Sequence, residues 1–445
     1  MADQFHIAAW SACAGMLHAA CAIAAPQQLP ELPEMPSGLE LEQAMAQKPS
    51  AAALEGLSVQ AWAQRLSPRE NGTHADSARL VFDYARTWQL SPGWTARLSD
   101  QLDLVAGRNR FDAETSHVIN TLREAWIGWH RTRGAFQYYV DAGRINVRNG
   151  VGSGYNPTDF FKRDAVNRAL ATLDPGALRE NRMGTVMLRA QVIGDAGAVT
   201  VGLAPRVADE RAPGDPGSDT SLALDRTNSR RAAYIKWSPQ WSQRVSLDVL
   251  AFQRERESAQ LGLNLSLLAS DAVVLNAEWT GARRTALPGP GEDEAPRAWR
   301  NRAAVNVVWT TPLGLDLTLE RQYAGDALDR GQWRRWRAVG DGQGLQALGA
   351  LAERRQVEQE PMLRDAWFAR LHWRDAFGVR DFELAGFTLR NSYDDSALTQ
   401  VSASRSFGGR WRAGVLAAAY SGDRTSEFGS VPVRRKIAAF LDYRF

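Results

Sequence analysis

Apolar and polar residues alternate with a two-residue period along most of the chain. In Ser258–Leu267 every odd position from Ala259 onward carries an apolar side chain, while the even positions are small or polar. Leucine occupies the odd positions of 313–319 in the same way. Side chains of a strand point alternately to its two faces, whereas a helix repeats every 3.6 residues. The pattern therefore predicts strands with one apolar and one polar face.

Eighteen segments of this kind can be marked after residue 56, with bounds good to a few residues. Segments 118–131, 379–390 and 396–407 alternate least regularly. The predicted strands are 57–66, 77–89, 94–105, 118–131, 135–148, 184–193, 198–206, 231–238, 243–254, 258–268, 272–281, 300–311, 313–323, 363–374, 379–390, 396–407, 410–421 and 433–445.

The connections alternate in length as well. Links after even-numbered segments are short, such as SPG and GG, whereas most others are long and polar, the longest being 149–183 and 324–362. Short periplasmic turns and long extracellular loops are typical of an outer-membrane barrel. A soluble sandwich or propeller would not require this rhythm. The sequence predicts an all-β, transmembrane antiparallel β-barrel over 56–445, of about 18 strands with 16 as the alternative, across an outer membrane.

The N-terminal segment fits export to that membrane. Residues 1–25 are rich in small apolar residues and contain Ala22-Ile23-Ala24, which has the form of a secretory cleavage site. Asp3 and the lack of basic residues before it are atypical, and a short buried helix is the alternative. Both cysteines lie in this segment, so disulfides and thiol chemistry are not expected after cleavage. Residues 26–55 carry four prolines and are predicted to be a periplasmic linker.

The closing segment Ile437–Phe445 is apolar at every odd position. It resembles the C-terminal strand of Gram-negative outer-membrane proteins, although Phe440 stands where that family often has glycine. The resemblance implies a barrel surrounded by outer-membrane lipid, with Tyr443 and Phe445 forming a signal for the barrel-assembly machinery. Eighteen strands are shared by sugar-specific porins and by alginate-export-like barrels.

Composition narrows the possible chemistry. The chain has 53 basic and 50 acidic residues, and 49 of the basic ones are arginine. The two signs are interleaved, so no basic stripe indicates nucleic acid. Six histidines show no metal-ligand spacing and no G-x-S-x-G motif is present, so neither a metal nor a cofactor is expected and an enzyme is disfavoured.

If the apolar faces contact lipid, the other faces line the lumen. A turn at 375–378 would place Arg370 opposite Glu383 and His372 opposite Asp381. These side chains either set charge preference or are solvated pairs without such a role. The pore-lining candidates are Arg189, Lys236, Arg244, Asp248, Arg302, Asp316, Glu320, Arg370, His372, Asp381 and Glu383.

The stretch after the fifth segment is the most distinctive loop. Three glycines at 150, 152 and 154 precede an N-P-x-D sequence that resembles a stretch in uncharacterised porin-like families. The loop either folds inward and narrows a pore or caps the rim from outside. Its constriction candidates are Asn156, Asp159, Phe160 and Lys162.

Two functions remain open at this point. The first is a porin-like channel that passes a small hydrophilic solute, with the arginine excess allowing an anionic one. The second is an outer-membrane component or scaffold of an export assembly, in which residues 26–55 bind a periplasmic partner. A barrel enzyme with a nucleophile at the rim is the least favoured alternative.

Overall fold

The structure is a computed structural model. The predicted export signal and proline-rich linker lie outside the residues that it describes, which are 56–69, 74–107, 118–166, 173–211, 218–293, 295–339 and 342–445.

These residues form a single sheet of eighteen antiparallel strands. All eighteen predicted segments are strands, and the alternative of sixteen is wrong. The strands are β1 (Leu57–Pro68), β2 (Ala75–Ser91), β3 (Trp94–Gly107), β4 (Val118–Arg133), β5 (Phe136–Ile145), β6 (Thr185–Gly194), β7 (Gly197–Ala204), β8 (Ala232–Pro239), β9 (Val245–Arg254), β10 (Gln260–Ser270), β11 (Val273–Arg284), β12 (Ala298–Thr310), β13 (Leu315–Ala324), β14 (Asp365–Trp373), β15 (Phe382–Asn391), β16 (Ala397–Phe407), β17 (Trp411–Ser421) and β18 (Val433–Arg444).

The sheet closes on itself. Each strand pairs with its neighbours in sequence, and β18 returns to pair with β1, for example at Ala61 opposite Leu441. The backbone N–H of Phe445 donates to the carbonyl of Leu57 at 3.1 Å. Closure satisfies the backbone groups that an open sheet would expose at its edges, which a bilayer cannot tolerate.

The turns alternate as the sequence predicts. Only residues 92–93 separate β2 from β3 and only 134–135 separate β4 from β5. Gly93 and Gly134 adopt φ of 82° and 61°, which glycine reaches without a Cβ clash. At the opposite end, residues 146–184 and 325–364 form the longest connections. This end is the extracellular one by the rule that outer-membrane barrels keep short turns in the periplasm.

The outer wall carries an apolar belt. Leu261, Val305, Leu319 and Val401 are among the large hydrophobic side chains that remain exposed. Their neighbours on the other face are polar and covered, as at Asn264. An exposed apolar belt around a closed barrel is suited to the hydrocarbon core of a bilayer. The inside is therefore the polar side.

Helices lie in the loops between strands. They are α1 (Pro175–Glu180), α2 (Leu224–Thr227), α3 (Arg330–Ala338) and α4 (Gly342–Glu358). Asp329 caps α3: its side chain accepts from the backbone N–H of Gln332 at 2.8 Å, and Oε1 of Gln332 accepts from the backbone N–H of Asp329 at 3.1 Å, which completes a capping box. Trp333 and Trp336 of α3 are buried in an apolar cluster with residues of the flanking loop segments. No helix in the described part of the chain is long and apolar enough to span a bilayer.

The β14–β15 turn is longer than the sequence suggested. Arg370 pairs with Phe387 and His372 with Ala385, so the predicted pairs with Glu383 and Asp381 are wrong in register. Residues 374–381 form the connection, which includes a short 3-10 turn at 376–378. This wider turn moves Asp381 out of the strand, at φ of 60°.

Candidate functional site

The connection between β5 and β6, residues 146–184 and hereafter the inward loop, enters the barrel. Phe160 stacks on Phe252 of β9 with ring centroids 4.8 Å apart, and Phe161 meets Tyr234 of β8 edge to face at 5.5 Å. Phe252 and Tyr234 point into the lumen and are buried there. The loop also reaches β13, which lies eight strands from β5 in a circle of eighteen. It therefore crosses the lumen to the far wall.

A wall carboxylate on β11 holds the first part of this loop. Glu278 lies near the middle of its strand and is 1% exposed. One of its oxygens accepts the N–H groups of Val151 and Gly152 at 2.9 and 3.0 Å. The other accepts the N–H and the hydroxyl of Thr158 at 2.7 and 2.8 Å. Charge-assisted hydrogen bonds of this kind are about twice as strong as neutral ones.

A second wall carboxylate, on β13, holds the next part. Glu320 is fully buried beneath the loop. Its oxygens accept from the backbone N–H groups of Ser153 at 2.6 Å, Gly154 at 3.1 Å and Tyr155 at 2.9 Å. The side-chain amide of Asn306 adds a bond at 3.1 Å. Together the two wall carboxylates accept hydrogen bonds from the backbone N–H groups of 151–155 and 158, in the middle of the barrel.

The glycines explain why the backbone can come so close. A Cβ added to Gly154 would lie 2.5 Å from Cγ of Phe368, which points into the lumen from β14. A Cβ on Gly150, whose φ is 101°, would lie 2.6 Å from both oxygens of Glu278. Positive φ and close approach are the two conditions that favour glycine. The G-x-G-x-G spacing thus allows the loop to seat on the wall.

A buried ion pair stabilises the far end of the loop. Arg182 is 1% exposed and makes two hydrogen bonds to Asp159, each 2.8 Å long. Arg179 adds a third at 3.2 Å. Burial alone would raise the pKa of Asp159, but the charges of Arg182 and Arg179 outweigh it and hold that pKa below its usual value. The carboxylate therefore stays charged at neutral pH.

A second ionic cluster connects the inward loop to the extracellular connection 325–364, hereafter the helical loop. Glu360 accepts from the hydroxyl of Tyr155 at 2.6 Å and lies 3.0 Å from Nζ of Lys162. Nη1 of Arg302, on β12, is 2.6 Å from the same carboxylate. Burial would raise the pKa of Glu360, but Arg302 and Lys162 hold it below its ordinary value. Burial also lowers the pKa of Lys162, against the opposing charge of Glu360.

Asp326 completes this cluster. It accepts two hydrogen bonds from Arg302, both 2.7 Å, and one from Arg355 of α4 at 2.9 Å. Despite its burial, these arginines hold the pKa of Asp326 well below the usual range. Nη2 of Arg355 is buried and finds no hydrogen-bond partner among the described residues. The cluster thus retains one donor that no described residue uses.

A cavity of about 350 Å³ lies on the extracellular side of the inward loop. Among the described residues, eleven basic and only five acidic residues line it. Arg256 and Arg297 form no ion pair with the described residues, so their charges remain available to a solute. The basic residues are Lys162, Arg163, Arg230, Arg254, Arg256, Arg283, Arg284, Arg297, Arg302, Arg354 and Arg355. We call this space the basic cavity.

The predicted constriction residues all lie in the inward loop. Asp159, Phe160 and Lys162 line the basic cavity. The carbonyl of Asn156 accepts from Nζ of Lys162 at 3.0 Å, while its side-chain oxygen is buried without a partner among the described residues. The loop thus lies within the barrel rather than capping the rim, and these four residues help to shape its seat.

The predicted wall residues are more scattered. Arg302 alone of them lines the basic cavity. Most others pair with lumenal neighbours: Arg189 with Asp141 at 2.7 Å, Asp248 with Ser238 at 2.5 Å, Asp316 with Thr310 at 2.6 Å, His372 with Glu383 at 2.8 Å, and Arg370 with Asp174 at 3.8 Å.

Four of these candidates need separate comment. Lys236 is half-buried on the lumenal face of β8, opposite Thr200. Arg244 is exposed in the β8–β9 turn and Asp381 in the β14–β15 turn, so neither stands in the wall. Glu320 faces the lumen but is covered by the inward loop, so it contacts no solvent in the pore.

Sequence reasoning named some of the residues that hold the loop, namely Glu320, Arg302, Asp159 and Lys162, but not their partners. Glu278 was recognisable only as one of many lumenal positions, and Glu360 and Asp326 lie in a loop without periodicity. Arg182 follows a helix-like stretch and Arg355 lies within one, with no motif around either. The three glycines gave the other signal, because they mark a backbone that approaches another surface closely.

No protein-family model matches the sequence, and no curated protein matches it either. Among solved structures, Acinetobacter baumannii OccAB1 is similar over 87% of this chain and 95% of its own, with 10% identity and a TM-score of 0.52. Pseudomonas aeruginosa OccD3 (OpdP) is similar over 90% and 94%, with 11% identity and a TM-score of 0.48. Pseudomonas aeruginosa OccK8 (OprE) has 9% identity and a TM-score of 0.49 over 87% and 96%.

The likeness to OccAB1 concerns the fold alone, since the identity is only 10%. Together with the closed eighteen-strand sheet and the apolar belt, it confirms the predicted fold class. The chain is therefore a transmembrane β-barrel of porin-like architecture.

Proposed function

We propose that this barrel is a channel through which small hydrophilic anions diffuse across the outer membrane, without a cofactor or a chemical step. The observation that carries the proposal is the basic cavity, in which cationic side chains outnumber carboxylates by eleven to five among the described residues. Water-filled lumens lined with one excess sign concentrate the opposite ion, because low-dielectric walls focus the field.

The inward loop supports the channel interpretation by providing a constriction. It is fixed at mid-height by Glu278 and Glu320 and crosses to the wall opposite its origin. A rigid loop at this position sets the largest solute that can pass. The basic cavity lies immediately on its extracellular side, so a solute reaches the arginines just before it meets the narrowest part of the pore.

The periplasmic half of the lumen adds little selectivity in this account. There wall charges are matched, as in the pairs of Arg189 with Asp141 and of Arg97 with Glu124. Matched charges in water contribute little net field at a distance beyond the Debye length of roughly 8 Å. Selectivity is therefore expected to arise in the basic cavity.

Uptake by proteoliposomes of three solutes of similar size tests the proposal. We expect gluconate to enter faster than glucose, and glucose faster than glucosamine. The double variant R256Q/R297Q should reduce the preference for gluconate, because both residues line the basic cavity without an ion-pair partner among the described residues. The control R374Q/R380Q removes the same charge from the exposed β14–β15 turn and should keep the preference for gluconate. Faster entry of glucosamine, or no entry of any solute, would contradict the proposal.

We also propose that β18 is read during assembly. The resemblance of Ile437–Phe445 to closing strands of outer-membrane proteins supports this, as does the pairing of β18 with β1. Tyr443 and Phe445 pack edge to face at 4.9 Å, and Phe445 remains exposed. F445S should lower the amount of folded barrel in the outer membrane while leaving refolding in detergent intact. Equal amounts of wild type and variant in the membrane would refute this role.

The proposed binding of a periplasmic partner by residues 26–55 stays a prediction.

A further inference from the structure

The carboxylate of Glu360 occupies a site that resembles a binding site for a free anion. Its three closest donors come from separate parts of the chain: Tyr155 and Lys162 of the inward loop and Arg302 of β12. Two cations and a hydroxyl around one carboxylate form the donor set that an anionic solute would need. Glu360, in contrast, belongs to the helical loop, which enters from the extracellular side.

This cluster borders the basic cavity directly. Lys162, Arg302, Arg355, Asp326 and Glu360 all line it, so a solute in the cavity faces the same cations that hold the two carboxylates. Three cations face two carboxylates here, and Arg355 is shared between Asp326 at 2.9 Å and the more distant Glu358 at 3.5 Å. Nη2 of Arg355 is buried and unpartnered among the described residues, which gives an incoming anion a first contact.

Replacement of the Glu360 carboxylate by a solute anion would preserve the ionic contacts of Lys162 and Arg302. A buried carboxylate is held by Coulomb attraction that offsets its large desolvation cost. If a solute anion takes over Lys162 and Arg302, the cations remain paired and Glu360 regains hydration outside. The buried cations are therefore never left without a partner, which would be the costly outcome.

Release of Glu360 would loosen the contact between the two loops. Three other contacts join the loops: Asp164 N–H donates to the carbonyl of Val357 at 3.0 Å, the side-chain amide of Gln359 donates to the carbonyl of Lys162, and Arg163 lies 3.8 Å from Glu358. Glu360 itself is turned back toward α4 by its N–H bond to the carbonyl of Arg355 at 2.9 Å. Glu360 makes the shorter charged contacts between the two loops, at 2.6 Å to Tyr155 and 3.0 Å to Lys162.

We propose that Glu360 is a displaceable internal counter-ion: an anionic solute in the basic cavity replaces it on Lys162 and Arg302 and thereby frees the helical loop from the inward loop. This inference rests on the proposed anion channel and adds a regulation of its cavity. The empty channel is held narrow by its own carboxylate, and the solute that it admits opens the contact.

Hydrogen exchange of the full chain in detergent, followed by mass spectrometry, tests this with sulfate as the probe. Millimolar sulfate is compared with chloride at equal ionic strength. In wild type we expect sulfate to accelerate exchange in peptides that cover 355–364 and 160–166, where the amides of Glu360 and Asp164 lie. E360Q should exchange rapidly in both salts. E353Q, which removes the same charge from an exposed position of α4 that does not line the cavity, should behave as wild type.

Exchange that is unchanged or slowed by sulfate in wild type would overturn the proposal, and so would an E360Q protein that responds as wild type does. Because the wild-type comparison is decisive alone, a failure of E360Q to fold does not remove the test. The solute-uptake experiment separates the two proposals. A channel that prefers gluconate but shows no sulfate-dependent exchange retains the proposed function and loses only the displaceable counter-ion.

Discussion

Replacing Glu320 with glutamine should release the inward loop. The carboxylate is surrounded by donors: N–H groups of Ser153, Gly154 and Tyr155, and side-chain amides that include Asn306. A glutamine offers one oxygen and one NH2 group. Whichever way it is turned, its NH2 faces donors that the carboxylate accepted, because Ser153 bonds one oxygen and Tyr155 the other.

The cost can be worked from these contacts. At least one backbone N–H is left without an acceptor, and the remaining bonds to the loop lose their charge assistance. Leaving a buried donor unsatisfied costs about 1–3 kcal/mol, and a bond to a charged group contributes about 1.5–3 kcal/mol. We therefore expect E320Q to weaken the seated loop by about 3 kcal/mol, which is roughly a hundredfold in the ratio of seated to released loop.

Single-channel recording is the appropriate assay because a released loop changes pore width on the recording timescale. We expect E320Q to show larger conductance and more open-channel noise than wild type, and to admit larger neutral polymers. E383Q is the matched control, since Glu383 is a wall carboxylate that bonds His372 instead of the loop. If E320Q matched wild type in conductance, noise and polymer exclusion, the anchoring role of Glu320 would be refuted.

Three further substitutions probe the loop and the rim. R182M removes the two hydrogen bonds of Arg182 to the buried carboxylate of Asp159 and leaves the single one from Arg179. It should lower the free energy of unfolding in denaturant by roughly 3–5 kcal/mol. A loss below measurement error would contradict the importance of this pair. G154A should make the inward loop sensitive to protease, because its Cβ would lie 2.5 Å from a ring carbon of the β14 phenylalanine; unchanged resistance would contradict the tight seat. In the β17–β18 loop, burial and then a neighbouring aspartate raise the pKa of Glu427 from 4.5 to about 8. The folded chain then holds a proton that the unfolded chain releases, so this group's contribution to stability falls as pH rises from 4.5 to 8. The melting temperature of wild type should therefore decline over that range relative to E427Q, and parallel pH profiles would contradict the shift.

The fold was accessible from sequence because a membrane barrel imposes one rule on every strand. Lipid outside and water inside require alternation, as seen in Leu261 to Leu267, and the two membrane faces impose alternating loop lengths. Where the alternation of apolar and polar residues is less regular, the structure gives the reason. In β4, Ser99 pairs with Glu124 but Asp100 pairs with Leu122, so Arg123 is an extra residue in a bulge. The bulge shifts the alternation by one position, which explains why segment 118–131 was hard to recognise.

The site was less accessible because its parts are far apart in sequence. Glu278 and Glu320 bind N–H groups that lie 120 to 167 residues earlier in the chain. Nothing in a single strand distinguishes a carboxylate that holds a loop from one that faces water. The predicted β14–β15 register is wrong for a different reason. The prediction assumed a four-residue turn, whereas positive φ at Asp375 and Phe377 accommodates a longer connection.

The central claim is that the cationic excess of the basic cavity makes this barrel an anion-preferring channel. The most direct test is the zero-current potential of single channels in a planar bilayer under a potassium chloride gradient. The account predicts discrete open channels with a potential of the sign set by chloride. A potential of the opposite sign, or a correctly folded barrel that conducts nothing, would contradict it.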